Sequence, residues 1–564
     1  MFLKEIKNKK YKVVLYLLIV LNVLAALKTI FICVFVDEEY QISMACRLLS
    51  GEKMLADLWD PHQMSAFLSE FFVWIYKSIF KTYDGCLIWV RFWGCMIHLF
   101  VSFRVFKVLS EHLCREFSFL IALLYFDLLP KNTVITDYAN MFIWLVTLMG
   151  IELYYLYRSG RPVHAVLSGL LMSLMVLSYP SAILFFPVIF IYLICKDKSI
   201  RNAGIFSLVC LICGGLYLIY LVSVTGSFDN LIMDIKLMLD GHSNYSKISY
   251  SSKFLTYAGE LGITFLVSAC YLVIAGLLVL IFRYFSKKKI TFSLFAFCVL
   301  AVSSMHHILH WIFMLHSHEL CYNFIIYILV FALSLIYIKK VPDEPKTVIK
   351  MNIAFSFVVL LCVLVLTDQT TFSSFKYMYP GYIFALAGLF IYSRDHEREI
   401  FDRFGRITLL FICFAAVFVK GWQYPASGGV MSNVSGIRGI VKDGISKGVI
   451  TDYMTSYIIS SEAREILDLV PAGSSLLVVD DSPSAYFFED VNISSYTTIC
   501  GAVYDETLLK YWEMHPGKYP DVVAVSCWYG DLHWDSDSWI IKWLEEDYPA
   551  SEVIEGDYYR YYIL

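Results

Sequence analysis

Long apolar runs dominate the first three quarters of the chain. The first covers 13–36, interrupted by Asn22, Lys28 and Thr29. Twelve more follow at 86–109, 113–130, 133–156, 163–179, 181–195, 203–225, 259–282, 290–312, 319–338, 348–367, 375–392 and 407–422. Runs of about 20 apolar residues are long enough to cross a bilayer as helices, so thirteen spans are predicted. The first run is too long for a signal-peptide core and no small-residue cleavage site follows it, so it reads as an uncleaved span. Beyond residue 422 the pattern changes. Residues 423–455 are Gly/Ser-rich and then mixed, which predicts a linker. Helices are then expected at 461–469, 505–514 and 538–546, and strands at 476–479, 522–525 and 558–563. Strands alternating with helices predict a small α/β layer.

Composition agrees with this reading. Of the 564 residues 59% are hydrophobic and only 17% are charged. Mean hydropathy is +0.64. A soluble protein carries about 25% charged residues, so this chain could not cover a water-facing surface. Soluble, collagenous and disordered classes are excluded. The overall charge of −4 hides a division: residues 1–422 carry +10 and residues 423–564 carry −14. This sets a transmembrane domain, 1–422, against an extracytoplasmic α/β accessory domain, 423–564. Basic clusters such as Lys4/Lys7/Lys9/Lys10/Lys12, Arg283/Lys287/Lys288/Lys289 and Arg394/Arg398/Arg403/Arg406 fall on one side of the predicted alternation. By the positive-inside rule that side is cytoplasmic. The N-terminus is then cytoplasmic, and loops 37–85 and 226–258 and the C-terminal domain are outside. The expected fold is a polytopic α-helical membrane protein, and the expected location is a bacterial cell membrane.

With so few charges, acids beside the bilayer stand out. Asp37 and Glu38 follow the first span, where a carboxylate can meet a substrate with its tail in lipid and its head in water. Such a group can act as general base on an acceptor hydroxyl. Acids at that position also serve helix N-termini without chemistry. Ile42, Ala45, Cys46 and Leu49 recur at helical spacing up to Gly51, predicting an amphipathic helix lying in the membrane interface. Asp57-Leu58-Trp59-Asp60-Pro61-His62 follows. Asp60 suits an N-cap and Pro61 the first helical position, predicting a second interfacial helix that runs to about Phe80.

These residues carry a resemblance. Asp37-Glu38-Glu39-Tyr40, Ala45 to Lys53 and Asp57 to His62 resemble the first outer loop of GT-C superfamily glycosyltransferases. Among these, the branch of protein O-mannosyltransferases and lipid A aminoarabinose transferases is the most similar. Thr136-Asp137-Tyr138 resembles a second acidic position of that branch, and Phe375-Lys376-Tyr377-Met378-Tyr379-Pro380 the start of a late span. The resemblance implies a GT-C fold, a polyprenyl-phosphate-linked sugar as donor and a lipid, glycan or protein hydroxyl as acceptor, usually with inversion. It implies Asp37 or Glu38 as catalytic base. Asp137, Lys376, Tyr379, Asp57, Asp60 and His62 are candidate substrate contacts. Arg91 and Lys376, near outer span ends, are candidates for the donor phosphate, with snorkelling as the plain alternative.

Histidines gather at the end of the ninth span: His306, His307 and His310, then His316, His318 and Glu319. His306 and His310 have a spacing that metals use, but no H-E-x-x-H is present. His318 and Glu319 are candidates for phosphate or glycan binding, and a divalent metal is left open. Thirteen of fifteen Cys precede residue 423, mostly in apolar runs, where Cys acts as a small hydrophobe. Cys500 and Cys527 could bridge in an outer domain. Asn244, Asn433 and Asn492 open short sequons that carry no weight. No P-loop, dinucleotide fingerprint or nucleic-acid motif occurs. The competing functions are a cell-envelope polysaccharide polymerase or ligase, whose largest loop would come late, and a lipid-linked-sugar transporter, which favours internal repeats.

Overall fold

The computed structural model describes residues 9–195, 199–240, 250–287, 289–313, 319–366, 370–425, 431–499 and 506–564. Helices α1 (Lys9–Phe31), α2 (Val36–Leu49), α3 (Ala66–Phe80), α4 (Cys86–Leu109), α5 (Arg115–Asp127) and α6 (Tyr138–Ser159) come first. Then come α7 (Pro162–Ser178), α8 (Phe185–Cys195), α9 (Ile200–Thr225), α10 (Phe228–Asp240), α11 (Tyr250–Ser286) and α12 (Phe292–Phe313). The bundle closes with α13 (Glu319–Tyr337), α14 (Asp343–Leu366), α15 (Thr371–Phe375), α16 (Tyr379–His396), α17 (Arg398–Ile400) and α18 (Arg406–Trp422). Each of the thirteen apolar runs carries a helix. Among the described residues, eight helices are long and apolar enough to cross a membrane by length and composition.

Large apolar side chains point outward over much of the bundle, including Leu211, Leu255 and Phe265 at 71%, 71% and 69% exposure. Water would penalise such a surface, whereas hydrocarbon accepts it. Contacts between helix ends fall into two sets. At one end Lys131 meets Asp37, and Asn132 and Lys28 donate to the Gln423 carbonyl. At the other, Glu116 accepts from Tyr11 and Arg406, Arg394 donates to the His112 carbonyl, and the Ser293 N–H donates to Glu397.

Several boundaries differ from the sequence reading. The first helix ends at Phe31, so Lys28 lies in its last turn rather than in mid-span. The chain then extends through Phe35 before α2 begins. That second helix is not an interfacial one: Glu38 to Arg47 are all buried. It is wedged between the bundle and the C-terminal region, so its polar face is covered by protein. By contrast α3 exposes Phe71, Trp74, Ile79 and Phe80, as an interfacial helix should. Asp60 does not cap α3, because a 3₁₀ turn at Gln63–Ser65 precedes that helix. The Asp60 carboxylate instead accepts from Tyr40 Oη at 2.9 Å and Thr497 Oγ1 at 2.7 Å.

After α18 the chain continues through β1 (Gln423–Pro425), β2 (Met431–Asn433), β3 (Ile437–Ile440), β4 (Ile450–Asp452) and α19 (Tyr453–Leu469). Next come β5 (Ser475–Val479), β6 (Asn492–Ile493), α20 (Thr507–Met514), β7 (Val522–Trp528) and β8 (Asp531–Leu532). Helix α21 (Trp539–Glu546) and strands β9 (Glu552–Glu555) and β10 (Tyr559–Ile563) complete the chain. The main sheet has the order β6-β5-β7-β10-β9, with β8 on β7. Strand β5 runs parallel to β6 and β7, and the β7–β10 and β10–β9 pairs are antiparallel.

The expected linker is not a free tether. Val441, Ile445 and Val449 are buried against Ile42, Ala45, Cys86 and Leu87. The first loop in turn supplies Trp59 to the core of the C-terminal sheet. Its indole stacks on Tyr496 at 5.5 Å and meets the edge of Tyr511 at 5.2 Å. The Trp59 backbone N–H donates to the Tyr496 carbonyl at 3.1 Å. Loop 37–85 and residues 423–564 therefore share hydrophobic cores. Cys500 and Asn244 lie outside the described residues.

Candidate active site

A cavity of about 270 Å³ lies where the ends of α2, α5, α12, α13, α16 and α18 converge. Asp37, Asp127, Lys131, Lys376 and Lys420 are its charged lining. His307, Tyr138, Tyr327, Tyr377, Tyr379 and Tyr382 add polar tips to walls of Leu, Ile, Ala and Val.

Asp37 reaches this cavity because of its place in the first turn of α2. An α-helix turns about 100° per residue, so three consecutive acids cannot share one target. Asp37 faces the cavity, its side chain 30% exposed. Glu38 points into the bundle and is fully buried against Arg91, which holds both carboxylate oxygens. Arg91 also donates to the Ile30, Ile32 and Cys33 carbonyls, closing the end of α1. Glu39 points toward the C-terminal region and accepts from Ser446 Oγ at 2.5 Å. Burial pushes the Glu39 carboxyl up to about 7.

Lys131 organises the site from the loop between α5 and α6. Its ammonium donates to Asp37 Oδ2 at 2.8 Å and to Tyr138 Oη at 2.7 Å, and lies 3.5 Å from Asp137 Oδ2. The loop packs tightly because Gly94 faces it. A Cβ at Gly94 would sit 1.8 Å from the Val134 carbonyl oxygen. Asp137 caps α6, accepting the Asn140 N–H at 2.7 Å. The two carboxyls around Lys131 are driven apart. Burial disfavours the charge on Asp37, yet Lys131, Lys376 and His62 together hold it below the usual carboxylate range. Burial pushes Asp137 up, against the pull of Lys131 and with the help of Asp37. Paired carboxyls separated in this way are suited to different proton states.

Lys376 sits in a 3₁₀ turn, Lys376–Met378, ahead of α16 rather than inside a span. Among the described residues no carboxylate lies within ion-pair distance of its ammonium, which is 5.4 Å from the Tyr377 ring. Burial, and then Lys131, push it down to about 8. The other two lysines of the cavity are compensated, Lys131 by Asp37 and Lys420 by Asp127 at 3.7 Å. Lys376 is thus the uncompensated cation of the lining, and an anion is its natural complement.

The structure gathers Asp37, Lys376 and Tyr379 on the cavity, with Asp137 behind Lys131 and His62 stacked on Tyr138 at 3.8 Å. It does not gather the others. Arg91 is engaged with Glu38 and the end of α1, away from the lining. Asp60 is buried against Thr497, and Asp57 accepts the Lys53 N–H and faces His515 at 3.8 Å. His318 and His316 lie outside the described residues, and Glu319 opens α13. His306 donates to or accepts from Tyr271 and its ring lies 6.3 Å from that of His310. Among the described residues no group of three His, Cys, Asp or Glu converges as metal ligands. Lys131 was missed because the sequence reading left only two residues between the third and fourth runs. Asp127 and Lys420 were hidden at run ends. The usable signal was the scarcity of charge in such places.

Comparison with protein-family models and with curated proteins gives no match. Among solved structures, the chain is similar to the archaeal oligosaccharyltransferase AglB of Archaeoglobus fulgidus, solved with an inhibitory peptide and a dolichol-phosphate. The TM-score is 0.43 at 10% identity, covering 92% of this chain and 70% of that one.

Proposed function

We propose that this chain is a membrane glycosyltransferase. It moves a sugar from a polyprenyl-phosphate carrier to a hydroxyl of a lipid, glycan or protein acceptor, on the extracytoplasmic face. The reading rests on one observation above all: an ionised carboxylate, Asp37, and an uncompensated ammonium, Lys376, line the same tyrosine-walled cavity at the helix ends. The distribution of basic clusters supports the outer side for that end of the bundle.

In this reading Asp37 is the general base. The acceptor O–H gives its proton to Asp37 as its oxygen attacks C1 of the sugar. The C1–O bond to phosphate breaks, and the polyprenyl phosphate leaves with the electron pair. Lys376 stabilises the charge that builds on that phosphate. A single displacement inverts C1. Lys131 is a positioning residue that fixes the Asp37 carboxylate and keeps it ionised. Leu124 of α5, Ile326 of α13 and Ile412, Ala415, Ala416 and Val419 of α18 offer the carrier's first isoprene units a dry path.

The test is a transfer assay in lipid nanodiscs with a panel of polyprenyl-phosphate sugars. Asp37→Asn is expected to lower transfer at least 100-fold while the protein still inserts and folds. Full activity of that variant would remove Asp37 as the base, and absence of transfer from every carrier by the wild type would remove the reading itself.

A further inference from the structure

The cavity contains polar atoms that the protein leaves unsatisfied. Asp127, at the last residue of α5, is 4% exposed. Neither of its carboxylate oxygens has a partner within 3.5 Å among the described residues, although the Lys420 and Asn22 side chains stand beside it. The Lys420 ammonium, 3.7 Å from Oδ1, balances its charge but donates its hydrogen bond to the Phe126 carbonyl at 2.7 Å. From α12, His307 Nε2 is also buried without a partner. Buried polar atoms are almost always hydrogen-bonded, and leaving one unmet costs about 1–3 kcal/mol. Tyr379 Oη and Gln423 Nε2 of the same lining break it too, and orphans gathered on one cavity point to a ligand that satisfies them.

The chemistry of the atoms defines that ligand. Carboxyl oxygens accept hydrogen bonds, so the ligand presents donors to Asp127. A phosphate presents none and is repelled, so it belongs at Lys376. A second ammonium would sit beside Lys131, Lys376 and Lys420, so an amino sugar is disfavoured. A neutral polyhydroxyl ring fits: its O–H groups donate to Asp127 and its C–H faces lie on tyrosine rings. Tyr327, Tyr377, Tyr379 and Tyr382 provide those rings. We propose that Asp127, with His307 on the same cavity, is the group that recognises the hydroxyls of the donor sugar. This inference rests on the glycosyltransferase reading and adds a sugar subsite separate from the phosphate contact at Lys376.

The experiment measures binding to the full chain in nanodiscs, by native mass spectrometry. The probes are decaprenyl phosphate and its glucosyl, mannosyl and arabinosyl esters. Wild type is expected to bind at least one ester more tightly than the bare lipid. Asp127→Asn is expected to lose about tenfold of that preference, the value of a hydrogen bond to a charged group, with affinity for the bare lipid kept. Lys376→Ala is expected to weaken ester and bare lipid alike. An unchanged ester preference in Asp127→Asn overturns the proposal and leaves the glycosyltransferase reading standing. A wild type that binds neither lipid overturns both. If Asp127→Asn loses the bare lipid too, His307→Gln decides, and an ester preference retained in that variant overturns the proposal.

Discussion

Asp37, Glu38 and Glu39 are neighbours in sequence with three separate destinations: a cavity, a guanidinium inside the bundle and a serine of the C-terminal region. Their substitutions should separate just as clearly. Glu38→Gln leaves Arg91 charged and buried without a counter-ion, a loss of about 3–5 kcal/mol. Thermal unfolding in detergent should show that loss for Glu38→Gln and not for Asp37→Asn, whose defect appears in turnover. Lys376 supplies a pH signature. Its ammonium is charged below about 8 and neutral above. The kcat/KM for an anionic carrier, which reports the free enzyme, should therefore fall as pH rises through about 8. Lys376→Arg keeps its charge to higher pH and should remove that alkaline limb. The depressed Asp37 carboxyl stays ionised across this range, so it adds no limb near neutrality.

Among the elements, the loop between α5 and α6 matters most, because it carries Lys131 onto Asp37. Its path exists only because α4 has glycine at position 94. Gly94→Ala would force the Val134 carbonyl away and drag Lys131 with it. A displacement near 1 Å at a reacting group costs up to about 100-fold, so kcat should fall by roughly 10–100-fold with the bundle intact. Transfer assays beside a thermal melt would check both halves of that statement. The elements themselves were largely legible: each of the thirteen apolar runs holds a helix, and the sheet strands at 476–479, 522–525 and 558–563 were read within a few residues. Hydrophobic periodicity reports burial of whole faces, and that was enough. It does not report loops. The reading therefore extended a run over 133–137, where Asp137 in fact caps α6, and overlooked Lys131. It named Asp37, Lys376 and Tyr379, which do meet on the cavity. It could not separate Asp37 from Glu38, because that division depends on where Arg91 lies across the fold.

For the whole molecule, the decisive joint is between loop 37–85 and residues 423–564. Trp59 is fully buried in the core of the C-terminal sheet, and Lys518 and Arg47 grip Glu52 from either side. Trp59→Ala removes the largest piece of that joint, at about 3–5 kcal/mol. Limited proteolysis should then release the C-terminal region from full-length protein, and transfer should drop because α2 loses one of its supports. Conservative Trp59→Phe should restore most of both.

The wall of the cavity formed by Lys420 and Gln423 is the last part of the bundle to be synthesised, and Asp37 is among the first to emerge. Some 380 residues separate them. During synthesis Asp37 therefore emerges before every later helix that walls the cavity. The sheet that receives Trp59 follows later still. A chain interrupted anywhere before its final quarter holds Asp37 without the Lys420 and Gln423 wall of the cavity. On the proposed function, completion of synthesis acts as a safeguard, since a half-made copy has no enclosed chamber.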